Sequence, residues 1–242
     1  VCHAQVYGLS WPAATRWERC STRGARGALA LLFLMASCCR AEPCEEIFSW
    51  RVAEWDLRSY RRRGLEKLER ELLASVPPEA YVGSRVLEIG GGIGVLQAEL
   101  LRRGAHSGEV IELVAAYRKY AAELARDLEV EDRTAFRVHD VLAEPGTVER
   151  ADVVIMNKVI CCSPDGLELV AVAAGLTRKA LVLAFPRSTW PLRVAARLQH
   201  LFFRALGRKY RFYVRPFAAV AAAATPGGLV RSDSGRGAIW EH

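Results

Sequence analysis

Apolar positions along this chain recur with two periods, and the alternation between them organises it. Between residues 45 and 76 the period is helical. Leu65, Leu68, Leu72 and Leu73 share one side, Glu66 and Arg70 form a favourable i,i+4 pair, and Pro77 and Pro78 stop the run. Short apolar runs bounded by polar or glycine-rich stretches then predict strands at 86–89, 109–113, 134–138, 152–156 and 181–185. Helical patterns separate them. One covers 94–103, one places Tyr117, Tyr120, Ala121, Leu124 and Leu128 on a common face, and an alanine-rich one covers 167–176. Near the end, 229–233 and 237–241 flank Ser-Gly-Arg, a hairpin signal. Strands alternating with helices predict a doubly wound α/β domain, with a mostly parallel sheet covered on both faces and an antiparallel strand from the hairpin. Ligands of such sheets sit at the carboxyl ends of the strands, where strand order reverses.

Composition narrows this only slightly. A chain of 242 residues, 51% hydrophobic and 25% charged, suits one domain with a short appendage and excludes a disordered protein. The net charge of +7 is more informative, because it is local. Eight Arg and Lys and no Asp or Glu fall between Arg187 and Arg215, so the remainder of the chain is close to neutral. A nucleic-acid partner is therefore not expected. A basic surface facing an acidic ligand or a membrane is the more economical reading. Seven cysteines, including the vicinal pairs Cys38-Cys39 and Cys161-Cys162, in a chain too large to need a disulfide framework suggest a reducing compartment. Residues 1–34 read as a disordered or non-native extension and 35–80 as a helical lid segment. The nine-residue apolar run 28–36 is too short to span a bilayer. With Met35–Cys38 it resembles a lipoprotein signal, but a start at Met35 and a cytoplasmic protein are expected.

The stretch Arg-Val-Leu-Glu88-Ile-Gly90-Gly91-Gly92-Ile-Gly94 carries the chemistry. A strand passing through such a turn into a helix presents bare backbone and free N–H groups to a ligand. The strand that follows ends at Glu112, 18 residues beyond Gly94, where a carboxylate can accept ribose hydroxyls. The next strand ends at His139-Asp140, followed by Val141; Asp140 can accept an adenine amino group or cap the next segment. The dinucleotide fingerprint would need a glycine at position 95, which is Val95.

An acid two residues ahead of three alternate glycines instead resembles motif I of the class I S-adenosylmethionine-dependent methyltransferases. The resemblance covers about 85–241. It implies a seven-stranded, mostly parallel methyltransferase sheet in a domain spanning 81–242. It also implies S-adenosyl-L-methionine as cofactor, bound by Glu88, Gly90, Gly91, Gly92, Gly94, Glu112, Asp140 and Val141. The acceptor is then a small molecule, placed at the ends of the fourth and fifth strands. Asn157 is the leading contact there, to cofactor and acceptor both, with Cys161 and Cys162 beside it. Those two thiols read either as core residues or, with Cys38, Cys39 and Cys44, as a thiol cluster for a soft metal or metalloid; no metal is expected. The basic insertion 187–215 places Arg193, Arg197, Arg204 and Arg208 on one helical face and Val194, Leu198, Leu201, Phe202 and Ala205 on another. It reads as a solvated amphipathic helix, as a cap whose arginines face an acidic acceptor, or as a peripheral membrane contact. With Ala-Phe-Pro-Arg187 before it, Trp190 at its start and Arg-Pro after it, it loosely resembles the equivalent region of magnesium-protoporphyrin O-methyltransferases. That likeness implies a flat, carboxylated, tetrapyrrole-like or aromatic acceptor, with Arg187 and Trp190 in its pocket. Tyr60 and Arg61, in the lid segment, are further candidates, Tyr60 as a catalytic group. A dinucleotide-dependent oxidoreductase, or a non-catalytic module binding a membrane or an acidic partner, are the alternative readings.

Overall fold

Five of the apolar runs become five parallel strands of one sheet. The computed structural model describes residues 5–8, 44–231 and 240–241. Its strands are β1 (Gln5–Gly8), β2 (Arg85–Ile89), β3 (Ser107–Glu112), β4 (Thr134–Val138), β5 (Ala151–Asn157), β6 (Thr177–Pro186), β7 (Val230–Arg231) and β8 (Trp240–Glu241). The helices of four residues or more are α1 (Trp50–Arg63), α2 (Lys67–Ser75), α3 (Pro78–Tyr81), α4 (Val95–Arg102), α5 (Arg118–Asp127), α6 (Gly166–Leu176), α7 (Trp190–Ala205) and α8 (Phe217–Ala224). The sheet order is β4-β3-β2-β5-β6-β1-β7. From β2 the chain winds outward through β3 and β4, then crosses back to lay β5 against the other side of β2, with Glu88 opposite Ile155. Strand order therefore reverses between β2 and β5, and their carboxyl ends open the crevice where such sheets take ligands.

Alternation along the strands divides the core. Val86, Val153 and Ile155 face α1, α2, α4 and α5, whereas Leu87, Val154 and Met156 face α6 and α8. The aromatic stripe expected on α5 forms, with Tyr117, Tyr120, Ala121 and Leu124 buried.

Three expectations are corrected. The parallel sheet has five strands, not seven. The expected C-terminal hairpin is not seen among the described residues, since 232–239, with its turn, lie outside them; of its flanks, β7 runs antiparallel to β1 and β8 antiparallel to β6, with Trp240 opposite Pro186. The helical segment at 45–76 is not continuous. Gly64 takes a left-handed φ of 67° and ends α1, and Glu66 then opens α2 through a reciprocal capping box with Glu69. Glu66 so used is a cap rather than the first member of a helical pair. From the region read as an extension, β1 pairs antiparallel with β6; the remainder of 1–34, and Cys38 and Cys39, lie outside the described residues. Among the described residues no helix is long and apolar enough to cross a membrane.

Candidate active site

The glycine loop is shaped by its own covalent geometry. Gly90, Gly92 and Gly94 have φ of 64°, 57° and 78°, values that side-chain-bearing residues rarely adopt. Space is equally restrictive. A Cβ on Gly94 would lie 2.6 Å from Cγ2 of Val110, and one on Gly90 would lie 2.8 Å from both methyls of Val159 in the loop after β5. Gly91 packs directly on the Glu88 carboxyl group. Gly94 is the N-cap of α4, so the loop delivers the chain straight into a helix N-terminus.

Two carboxylates hold this loop from beneath. Glu88 is buried, and its Oε2 accepts the N–H of Gln97 in the first turn of α4 at 2.9 Å. Glu112 accepts three backbone N–H groups: Gly92 on Oε2 at 3.0 Å, and Leu113 and Val114 on Oε1 at 2.8 and 3.1 Å. A carboxylate offers about four lone-pair sites, so Glu112 latches the loop to the end of β3 and keeps capacity for one further donor. Asp140 accepts the N–H of Leu142 at 3.0 Å, as an acid at the start of a turn does.

These groups converge on one cavity of about 630 Å³, within the range typical of small-molecule sites. Its acids are Asp56, Glu66, Glu69, Glu88, Glu112, Asp140 and Asp165, and Lys158 is the one Lys or Arg among its lining residues. Burial in this partly dry site penalises the charged form of its acids. Burial raises Glu88 from 4.5 to about 8 and Asp56 from 3.8 to about 6, and it also raises Glu69 and Glu112. For Asp56 the negative charges of Glu66 and Glu69 add to the effect of burial, while Lys158 opposes it. Asn157, at the end of β5, also lines the cavity. Its Oδ1 is buried and has no hydrogen-bond partner among the described residues. An orphaned acceptor at the strand crossover is a group that a ligand donor would satisfy. Lys158, next in sequence, has a left-handed φ of 61°, and its Nζ reaches Glu66 at 3.0 Å. Such strain is stored where the surroundings hold a loop in place.

Glu88 gives a pH signature. Its folded pKa lies above the ordinary value, so folding takes up a proton between about pH 4.5 and about pH 8. The stability it contributes is complete below 4.5 and is lost as pH rises through about 8. Glu88→Gln stays neutral and keeps an acceptor for Gln97. Urea unfolding followed from about pH 5 to about pH 9 will show a shallower decline for this variant than for the parent. Equal slopes would mean that Glu88 is already ionised in the folded protein.

Other predicted residues are dispersed. Tyr60 lines the cavity, but its hydroxyl donates to Oε1 of Glu99, and burial with that bond raises its pKa. Arg61 does not line the cavity; it ties α1 to α5 through Asp127 at 2.7 Å and Glu123 at 3.4 Å. Val141 is buried and lines it. Cys162 lines it, whereas Cys161 is buried just behind, its Sγ 3.7 Å from that of Cys162. Hydrogen bonds from the Cys161 thiol and the Tyr210 hydroxyl, the latter at 3.4 Å, lower the pKa of Cys162. Cys44 also lines the cavity, where burial pushes its thiol up to about 12. No group of three or more metal-ligating side chains occurs among the described residues. Arg187 and Trp190 are not among the lining residues, and Trp190 is 71% exposed.

Sequence reasoning missed Asp56, one turn before Tyr60 on α1, and Arg215. The guanidinium of Arg215 donates to the carbonyls of Ile160, Ser163 and Pro164, clamping the loop that carries Cys161 and Cys162. One acid in a charged helix and an arginine 51 to 55 residues from its targets leave no local pattern.

No protein-family model and no curated protein matches this sequence. Solved structures do match its fold. An O-methyltransferase family protein from Burkholderia thailandensis superposes with a TM-score of 0.60 at 19% identity, over 78% of this chain and 56% of that one. An O-methyltransferase family 2 protein from Planctomyces limnophilus in complex with apigenin gives 0.57 at 18%, over 89% and 66%. Magnesium protoporphyrin IX methyltransferase (ChlM) from Synechocystis PCC 6803 with bound SAM gives 0.55 at 16%, over 91% and 97%. This chain thus spans about half of the first protein's length and nearly all of the third's. With the glycine loop at the β2/β5 crossover, these likenesses assign the chain the Rossmann-like fold of the S-adenosylmethionine-dependent methyltransferases.

Proposed function

We propose that this protein is an S-adenosylmethionine-dependent methyltransferase acting on a small, flat, largely apolar acceptor that bears a hydroxyl group. The observation that carries this reading is a convergence. The positive-φ glycine loop, Glu112 after β3, Asp140 after β4 and the unpartnered Oδ1 of Asn157 all border one cavity at the strand crossover. The residues fit the cofactor in kind. Glu112, with one lone pair left, would accept a ribose hydroxyl, Asp140 beside Val141 would accept the adenine amino group, and the bare glycine loop would take the amino-acid end. When bound, the cofactor supplies a methyl group on a positively charged sulfur. A cavity with seven acids and a single lysine favours a cation.

The lid side defines the acceptor. Phe48, Val52 and Trp55 give the cavity an apolar wall. Methyl transfer is largely a matter of holding acceptor and methyl in line, and this wall with Asn157 supplies that placement. The arginines of 187–215 do not line the cavity, so a carboxylated acceptor would meet Lys158 alone. A hydroxyl needs no counter-charge but must lose a proton, and Asp56 is the cavity carboxylate on the lid helix with a pKa near neutrality. Two structural neighbours agree in kind, as a magnesium protoporphyrin IX methyltransferase and an O-methyltransferase in complex with apigenin. The dinucleotide reading lacks support: Val95, in place of the third glycine, is the first residue of α4.

Isothermal titration with S-adenosylmethionine and S-adenosylhomocysteine tests the reading. Both will bind the parent, and Gly92→Val, which puts a branched side chain at φ 57° with its Cβ 3.2 Å from Tyr117, will abolish both. Failure of the parent to bind either ligand overturns the proposal. Labelled cofactor incubated with cell extract, followed by mass spectrometry, then identifies what gains the methyl group.

A further inference from the structure

The largest exposed apolar feature among the described residues is on α7. No residue of this helix is buried. Leu192, Ala196, Gln199 and Phe203 are half-buried toward the body of the protein. The opposite side presents Trp190, Val194, Leu198, Leu201 and Phe202 at 71, 43, 61, 59 and 61% exposure, continued by Leu206 at 58% just after the helix. Spaced at three and four residues, they form one stripe. A soluble surface rarely leaves such a stripe to water.

Charge identifies what covers it. Arg193, Arg197 and Arg204 are exposed along one edge of the stripe, and none forms an ion pair with a described residue. There is no acid between 187 and 215 to offset them. A protein partner or second copy seated on this stripe would have to supply acids along that edge. An anionic lipid surface supplies negative charge beside an apolar interior everywhere at once. A helix with Trp, Leu and Phe on one side and arginines beside them has the composition of one that lies in a membrane interface.

The anchoring fits a device held outward. After α7 the chain is secured to the body. Glu46 Oε2 accepts the N–H groups of Lys209 and Tyr210 at 2.9 and 3.3 Å, and Tyr213 N–H donates to the Cys161 carbonyl at 2.8 Å. The same stretch brings Tyr210 against Cys162 at the cavity wall. We infer that α7 docks this protein on anionic lipid bilayers, its apolar stripe entering the interface and its arginines meeting the headgroups, with the cavity held close to the membrane. The inference does not depend on the proposed reaction.

Vesicle flotation of the full chain tests it, using neutral phosphatidylcholine vesicles and vesicles with added anionic phospholipid. The protein will float with the anionic vesicles and only weakly with the neutral ones, and binding will fall as salt rises. Leu198→Glu with Leu201→Glu will reduce binding ~tenfold or more. Arg193→Gln, Arg197→Gln and Arg204→Gln together will reduce it about a hundredfold, at about 1 kcal/mol for each basic residue. Unchanged melting temperature in these variants shows that the fold is intact, and retained S-adenosylmethionine binding separates this result from that of the proposed function. The inference is overturned if the parent does not float with anionic vesicles. It is likewise overturned if sedimentation shows a dimer that the Leu198→Glu, Leu201→Glu pair disperses, because the stripe is then a subunit interface.

Discussion

Glu112→Ala will lower affinity for S-adenosylhomocysteine by more than about a hundredfold, whereas Glu112→Gln will fall between the variant and the parent. The size follows from what one carboxylate holds. Three backbone N–H groups end on it, from Gly92, Leu113 and Val114. Alanine leaves all three without their acceptor and removes the acid proposed for the ribose. Hydrogen bonds to a charged acceptor are worth roughly 1.5–3 kcal/mol each, and about 2.7 kcal/mol already corresponds to a hundredfold in affinity. Much of the loss is therefore organisational, because without the latch Gly92 is no longer tied to the end of β3. Glutamine keeps one oxygen and replaces the other by a donor, so it can satisfy one side of the latch but not both. Titration calorimetry of the two variants, with a thermal melt of each, checks the ordering. An alanine variant within about threefold of the parent would remove Glu112 from the cofactor site.

The loop and its two acids were readable in the sequence because their constraints are local. A positive φ strongly favours glycine, so the run Gly90, Gly92 and Gly94 marked the turn whatever lay above it. Strand ends were readable because the apolar runs stop there, which placed Glu112 and Asp140. What sequence could not give was set by partners far along the chain. Arg61 looked like a pocket arginine until α5 supplied Asp127, 66 residues on. The apolar positions of α7 have the spacing of a packing face, but no described element covers them. Periodicity reports that a face is apolar and is silent on whether protein or lipid meets it. Four residues of β1 are too few to show a period, so the strand that covers the β6 edge left no signal. A single glycine in a helical pattern is tolerated, so Gly64 carries no stop signal of its own; here its left-handed φ ends α1 before α2 begins.

Helix α1 carries the other large expectation. Asp56→Asn will reduce kcat with the native acceptor about 10²–10⁴-fold while leaving the dissociation constant for S-adenosylmethionine unchanged. The carboxylate sits in the wall of the cavity, beside Trp55 on α1, and its pKa is raised to about 6 by burial and by the charges of Glu66 and Glu69. A base with that pKa is ionised at neutral pH and is strong enough to take the proton of an acceptor hydroxyl as the methyl arrives. The sign of the pH dependence follows. The ionised form is the active one, so kcat/KM of the parent will fall below about pH 6 and level off above it. In Asp56→Asn that inflection will be gone. Tyr60→Phe is the contrasting variant, because the Tyr60 hydroxyl is engaged with Glu99 and its pKa is raised, so it cannot serve as the base. Its loss will lower the melting temperature and leave the pH profile unchanged. If kcat of Asp56→Asn instead equals that of the parent, the acceptor atom carries no proton to lose. A carboxylate or thiolate then takes the place of the hydroxyl, and Lys158, as the lysine of the cavity, becomes the group to examine.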